Sequence, residues 1–127
     1  LLLGFFLLSL DAPESVEHYR ESIEKEPTNQ TLLFNAARYF SKKGFPEDAE
    51  NTYRKLLSLN PQHNGAKLGL AYILLWQERE GEAKEIFEEI LQKNPKDTDA
   101  RVGLSQIQLA TPPPRKSLNL KKNPSPL

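Results

Sequence analysis

The 127-residue sequence contains neither cysteine nor methionine. Without a thiol, the chain can form no disulfide bond, no thiolate zinc site and no cysteine-dependent active site. Because methionine is absent, residue 1 is not a translation start, and we expect the sequence to be a fragment of a longer chain or a product of processing.

The sequence also has few of the groups from which active sites are built. Its two histidines, His18 and His63, form no metal-binding pair, and His63 follows a predicted turn where we expect it to be solvated. Its six glycines are scattered and form no phosphate-binding loop. Acidic residues lie beside lysines and arginines, as on an ordinary solvated helix. We therefore predict a protein that is not an enzyme, with no metal, no other cofactor and no small-molecule substrate.

The charges give no indication of nucleic-acid binding. Lys+Arg and Asp+Glu both number 17, so the net charge is zero. Residues 111–127 carry four basic and no acidic side chains and are rich in proline, which predicts a disordered basic tail. The remaining residues hold 13 basic and 17 acidic side chains, so the basic face that a nucleic acid needs is missing.

No stretch alternates apolar and polar residues as a β-strand does, so we predict an all-α chain. Apolar residues recur at helical spacing in six stretches, at about 13–26, 29–43, 46–59, 64–78, 81–93 and 97–110. Gly44 is placed to end the second helix, and Pro46 to begin the third. Asn-Pro pairs at 60–61 and 94–95 are placed to end the third and the fifth helices.

The most informative pattern recurs after 34 positions. Residues 48–49, 53, 56 and 60–61 return as residues 82–83, 87, 90 and 94–95, and residues 66, 69 and 70 return as residues 100, 103 and 104. A period of this length indicates stacked copies of one helix pair, since a single pair is too small to bury its own apolar face. Small residues are expected where paired helices approach closely (Ala37, Ala49, Ala71 and Ala83). Large residues are expected to fill the gaps between pairs (Phe40, Tyr53, Leu74 and Phe87).

This pattern resembles that of the tetratricopeptide repeat family. Residues 30–63 match it through Leu33, Ala36, Ala37, Phe40, Ala49, Tyr53 and Pro61, and residues 64–97 match it through Leu70, Ala71, Leu74, Ala83, Phe87 and Pro95. Lys67 departs from the large residue expected at its position, and Leu56 and Ile90 depart from a small one. The resemblance implies an all-α, right-handed solenoid of antiparallel helix pairs with two full repeats. A half-repeat helix precedes them at 14–27, and a capping helix follows at 98–110.

In the family, the first helix of each repeat lines a concave groove. The resemblance places these residues in it: Thr31, Phe34, Arg38, Ser41 and Lys42; Gly65, Leu68, Tyr72, Leu75 and Trp76; Asp99, Val102, Gln106, Leu109 and Ala110. From them we predict a partner-binding site made of Phe34, Arg38, Lys42, Leu68, Tyr72, Trp76 and Val102. This site is an apolar strip beside two cations, which predicts non-catalytic docking of a partner helix or peptide.

Two alternatives concern the occupant of the groove. The strip could instead be covered by missing repeats, by residues 1–10 or by a second copy of the chain, which would make the protein a self-associating scaffold. Some relatives hold the C-terminal carboxylate of a chaperone with Lys, Asn and Arg side chains. The corresponding positions here hold Phe34, Arg38, Gly69, Asp99 and Gly103, of which only Arg38 suits that ligand, so we exclude it.

Residues 1–10 are almost entirely apolar but too few to span a membrane. They fit either a truncated signal or membrane anchor or the buried remnant of a repeat helix. A looser resemblance of residues 69–77 and 99–104 to repeats of bacterial envelope-export proteins agrees with the first interpretation and favours an exported or membrane-attached, periplasmic protein over a cytoplasmic one. The predicted organisation is an apolar segment at 1–12, the repeat array at 13–110 and the tail at 111–127.

Overall fold

A computed structural model of the protein describes residues 15–110, so the predicted apolar segment and the predicted tail lie outside the described residues. Within this range the chain forms six helices and no strand, as predicted. The helices are α1 (Val16–Lys25), α2 (Gln30–Lys43), α3 (Pro46–Leu59), α4 (Asn64–Trp76), α5 (Glu80–Lys93) and α6 (Thr98–Ala110). The all-α repeat architecture is therefore confirmed.

Local sequence signals account for most helix ends. Asn29 begins α2, because its side-chain oxygen accepts a hydrogen bond from the backbone N–H of Leu32 at 3.0 Å. Gly44 ends α2 in the left-handed conformation, with φ of 89°, which glycine adopts without strain. Pro46 occupies the first turn of α3, where its missing N–H costs no hydrogen bond.

The turn between repeats is built twice in the same way. Asn60 accepts a hydrogen bond from the N–H of Gln62 through its side chain, and its carbonyl accepts another from the N–H of His63. Asn94, which lies 34 residues later, makes the equivalent bonds with residues 96 and 97. The same hydrogen bonds therefore recur with the sequence repeat. As a result, successive helix pairs are connected by the same turn.

The core runs continuously through both repeats, α2 with α3 and α4 with α5. All four alanines predicted at close helix contacts are fully buried, and so are the large residues Phe40, Leu74 and Phe87. Lys67, the departure from the family pattern, is also buried, and its ammonium contacts a carboxylate oxygen of Glu89 at 2.8 Å. A buried cation is tolerated here because it is paired.

One aromatic ring in each repeat packs against the helix that follows the repeat. The ring of Tyr53 lies against Gly69, where an added Cβ would lie 2.3 Å from the ring carbon Cζ. The ring of Phe87 lies against Gly103 in the same way, at 2.2 Å. Both rings are buried, so the equivalent residues of the two repeats occupy equivalent surroundings. Only glycine leaves room for the ring at these positions.

Helix α6 is the last described helix. Its Ala100 and Ile107 are buried against the second repeat, whereas Arg101, Ser105 and Gln108 are exposed. At the equivalent positions of α4, Ala71 and Leu74 are buried beneath the paired helix. The polar residues of α6 suit solvent better than another helix, as terminal repeats require.

Candidate binding groove

The first helices of successive repeats, α2, α4 and α6, carry the predicted site. Helix α4 packs against both α2 and α6, so the three form a continuous row. The seven predicted residues lie at equivalent repeat positions of these three helices: 34, 68 and 102; 38 and 72; 42 and 76. What the sequence does not specify is which of them are held by packing and which are open to a partner.

Phe34 is half-buried and forms part of the floor. Its ring centroid lies 6.4 Å from that of Tyr53 and 4.9 Å from that of His63. Gly65 lies directly beneath it, where a Cβ would lie 2.9 Å from the ring. The guanidinium of Arg38 is 5.6 Å from the ring centroid of Phe34, within cation–π range. The structure therefore brings these two predicted residues together.

His63 is not the solvated side chain that we predicted. It is half-buried, and its Nδ1 accepts a hydrogen bond from the N–H of Ala66 at 3.0 Å, which caps the start of α4. Its ring also packs against Phe34. The prediction was wrong because histidine is an uncommon helix cap, and the sequence shows no aromatic neighbour within the turn.

Tyr72 is held in place by two contacts. Its ring packs edge-on against Phe87, with 5.1 Å between centroids, and its hydroxyl donates a hydrogen bond to the carbonyl oxygen of Asp99 at 2.7 Å. Burial raises the pKa of Tyr72, and the negative charges of Asp99 and Asp97 raise it further, so the hydroxyl remains a donor. The hydroxyl thus joins α4 to α6, and the ring is fixed against Phe87.

The exposed apolar residues of the groove lie towards its C-terminal side. Trp76 is 56% exposed, Val102 44% and Leu109 85%, whereas Leu68 is half-buried and packs on the core. These three belong to a group of only five large apolar residues that are exposed among those described, with Phe45 and Leu59. Leu109, which was not among the seven predicted site residues, is the most exposed of all.

The α2 end of the groove is basic. Arg38 and Lys42 are exposed, and α2 contains no acidic residue. Together with Asn35, Ser41 and three tyrosines they line an open cleft of about 630 Å³. The groove therefore has a cationic end and an apolar end.

The end of α4 that carries Trp76 is fixed to the first repeat by Glu50 of α3. The carboxylate of Glu50 accepts hydrogen bonds from Arg54 at 2.9 Å, from Arg79 at 2.8 Å and from Gln77 at 3.2 Å. Burial by itself raises the pKa of Glu50, but these hydrogen bonds outweigh it, and the pKa is lowered. The connection from α4 to α5, in which Glu78 has φ of 62°, is thereby held in one conformation.

We expect Glu50→Gln to lower the free energy of unfolding by about 1–2 kcal/mol at neutral pH, since it removes the charge from three hydrogen bonds. The lowered pKa means that the ionised carboxylate stabilises the fold above its unfolded pKa, near 4.5, and that this stabilisation is lost as the pH falls through the folded value. Urea denaturation at several pH values measures the difference from wild type. The difference should shrink steadily below about pH 4.5. Glu88→Gln, at an exposed acid, is the control and should change the free energy of unfolding by less than about 0.5 kcal/mol at neutral pH. If wild type and Glu50→Gln differ in their free energy of unfolding by the same amount at acidic and at neutral pH, the ionised carboxylate of Glu50 does not stabilise the fold.

The described part of the chain offers neither a metal site nor a membrane-spanning helix. Residues 15–110 contain no group of three or more His, Cys, Asp or Glu side chains that could hold a metal ion. None of the six helices is both long enough and apolar enough to cross a membrane.

The chain is similar in sequence and in fold to several known proteins. The tetratricopeptide repeat pattern matches residues 34–98. A protein of Schizosaccharomyces pombe named for cargo transport, ypp1, is 37% identical over 51 residues, a match that spans 40% of this chain and 6% of ypp1. A crystal structure of a tetratricopeptide repeat protein from Parabacteroides merdae superposes with a TM-score of 0.65 at 28% identity, and the match covers 75% of this chain and 37% of that one.

A further solved structure is the first tetratricopeptide repeat domain of Spaghetti (RPAP3), bound to the HSP90 peptide SRMEEVD. It superposes with a TM-score of 0.69 at 20% identity, over 84% of this chain and 85% of that one. At this identity the likeness concerns the fold alone. The chain spans only a small part of ypp1 and about a third of the Parabacteroides protein. Because the repeat pattern covers about half of the sequence, the chain belongs to the tetratricopeptide repeat family, a family of protein–protein interaction modules.

Proposed function

We propose that the groove formed by α2, α4 and α6 docks a helix or extended segment of a partner protein without catalysis. The observation that carries this proposal is the exposure of three apolar residues. Among the described residues the three most exposed large apolar side chains are Trp76, Val102 and Leu109, and all three stand at positions that the family resemblance assigns to the groove. Exposed apolar surface that is collected in one place marks interaction sites on soluble proteins, whereas single scattered residues do not.

The proposed groove contains packed residues and exposed residues, which have different roles in binding. Phe34, Leu68 and Tyr72 are already packed, so they offer a floor that needs no reordering when a partner arrives. Trp76 and Val102 are open and lose most of their solvent contact on binding. A rigid floor reduces the entropic cost of association, and an open tryptophan supplies a large apolar area, so Trp76 is the expected main anchor.

Trp76→Ala is expected to weaken binding of a partner peptide by tenfold or more, which corresponds to about 1.4 kcal/mol. A suitable probe is a labelled peptide selected from a displayed random library on the wild-type protein, with affinity measured by fluorescence anisotropy. Leu59→Ala is the matched control, because Leu59 is 39% exposed but lies on α3, outside the groove. Equal losses from the two substitutions would contradict docking in the groove.

The single tryptophan gives an independent reading of the same event. Trp76 is the only tryptophan of the chain, so a shift of its emission on adding unlabelled peptide reports its burial directly. Binding without a change in emission would place the partner elsewhere. Tyr72→Ala is expected to lower the affinity for the same peptide, because it removes part of the floor and the hydrogen bond to α6.

Self-association is the competing outcome for the groove. If residues 1–10 or a second copy of the chain occupy it, sedimentation will show a concentration-dependent dimer that disappears when residues 1–10 are removed or when Trp76 is changed to alanine. A monomer at all concentrations that binds peptide equally well with and without residues 1–10 supports a separate partner. We also propose that the protein belongs to an envelope or export assembly, which the apolar residues 1–10 support.

A further inference from the structure

The charged residues of α2 differ from those of the other helices. Arg38, Lys42 and Lys43 give α2 three cations and no acid. No ion pair among the described residues involves any of these three, whereas Arg20, Arg54, Lys67 and Arg79 are all paired. Lys43 lies over the ring of Tyr39 at 5.7 Å, and Arg38 lies over Phe34. Arg38 and Lys42, four positions apart on one helix face, thus have no counter-charge among residues 15–110.

The cleft beside these cations is suited to an anion. Its lining consists of Tyr19, Asn35, Arg38, Tyr39, Ser41, Lys42 and Tyr53. No carboxylate is among these residues, and the amide of Asn35 adds a neutral donor group to the two charged ones. Guanidinium and amide groups can hold a carboxylate by charge-assisted hydrogen bonds, which are stronger than neutral ones.

The charges along the rest of the groove determine which end of a bound partner segment carries the acidic residue. The groove-facing residues of α4 are uncharged, and the charge facing the groove from α6 is that of Asp99. An acidic partner residue is therefore attracted to the α2 end and repelled from the α6 end. This polarity gives a docked segment a direction, because electrostatic complementarity sets register and excludes the reversed arrangement.

We propose that this cleft is a carboxylate subsite, which receives an aspartate or glutamate side chain of the partner segment while the apolar residues of that segment lie over Leu68, Tyr72 and Trp76. The inference rests on the proposed function, since it concerns the same groove. It differs from the chaperone-carboxylate site excluded above, because it uses Asn35 and Lys42 of α2 in place of residues on three helices.

The test uses peptides selected on the wild-type protein and their Glu→Gln or Asp→Asn counterparts. The acidic form is expected to bind about tenfold more tightly, with a difference that falls as salt rises. Arg38→Gln should remove this difference while the affinity for the amide form stays the same. Arg101→Gln is the control, because Arg101 is also without an ion pair among the described residues but lies on the outer face of α6.

The outcomes separate the two proposals. Selected peptides that lack acidic residues, or an acidic preference that survives Arg38→Gln, overturn the subsite while leaving groove docking intact if Trp76→Ala still weakens binding. Tighter binding of a phosphoserine form than of the glutamate form overturns the choice of carboxylate. If no peptide binds, groove docking fails, and titration of nitrogen-15-labelled protein with acetate decides the subsite. Saturable shifts at the Asn35 side-chain amide and the Arg38 Nε–H support it, and their absence overturns it.

Discussion

Replacing Phe87 with alanine is expected to lower the free energy of unfolding by about 3–5 kcal/mol, the usual cost of emptying a fully buried aromatic site. The ring is inaccessible to solvent, and it packs against Tyr72 of α4 and fills the space over Gly103 of α6. It is therefore the side chain through which α5 holds both helices of the C-terminal side of the groove. A domain of this size has a total stability of about 5–15 kcal/mol, so the loss is a large fraction of it.

Urea denaturation followed by circular dichroism measures this loss. Phe45→Ala is the control, since Phe45 is exposed and should cost about 1 kcal/mol or less. Because each repeat contacts only its neighbours, amide hydrogen exchange in Phe87→Ala should rise first in α5 and α6, and later in α2 and α3. Equal costs for Phe87→Ala and Phe45→Ala, or uniform exchange along the array, would contradict this account.

The helices were predictable where the sequence carries a stop or start signal. Both bounds of α3 agree with the prediction, because Pro46 begins the helix and Asn60-Pro61 ends it. The end of α4 was predicted two residues too late. The chain leaves the helix after Trp76 through Gln77 and Glu78, and neither residue is a helix-breaking type. The residues that follow the helix bond to Glu50, which lies 26 residues earlier in the sequence, so this end depends in part on a contact between repeats.

The site was predictable as a surface but not in its details. The repeat register identifies the faces of α2, α4 and α6, because equivalent positions face the same way in every repeat. It does not reveal that the Tyr72 hydroxyl is already bonded to Asp99 or that His63 supports Phe34, since both depend on contacts between helices. It also does not show that the cations of α2 form no ion pair with any residue between 15 and 110.

The spacing of aromatic residues and glycines in the sequence indicates the aromatic contacts between repeats. Gly69 lies 16 residues after Tyr53, and Gly103 lies 16 residues after Phe87, so the aromatic–glycine pair itself recurs with the 34-residue period. The 34-residue repeat relates the two glycines to each other, but their pairing with the aromatic residues is what gives each glycine inside a helix its packing reason. The pair that would precede them is Tyr19 with Asn35, so the first junction of the array cannot use the same arrangement.

Gly69→Val is expected to lower the free energy of unfolding by about 3 kcal/mol, the upper part of the usual range for overpacking a core. Its Cβ would lie 2.3 Å from Cζ and 2.5 Å from the hydroxyl oxygen of Tyr53, closer than non-bonded atoms approach. The ring cannot easily give way, because it is buried and in edge contact with Phe34. Helix α4 must then move away from α3, which separates the two repeats and displaces Leu68 and Tyr72. Thermal or urea denaturation measures the stability, and loss of peptide binding reports the displaced floor.

Two further variants distinguish this steric cause from a general effect of valine in a helix. Gly81→Val places the same side chain in the first turn of α5, where nothing lies within 4 Å of the added Cβ, and it should change stability by less than about 0.5 kcal/mol. In a Tyr53→Leu background the ring is gone, so the added cost of Gly69→Val should fall below about 1 kcal/mol, a coupling typical of residues in contact. If the cost of Gly69→Val is the same with and without the Tyr53 ring, the ring is not what requires glycine, and the junction between repeats depends on some other contact of α4.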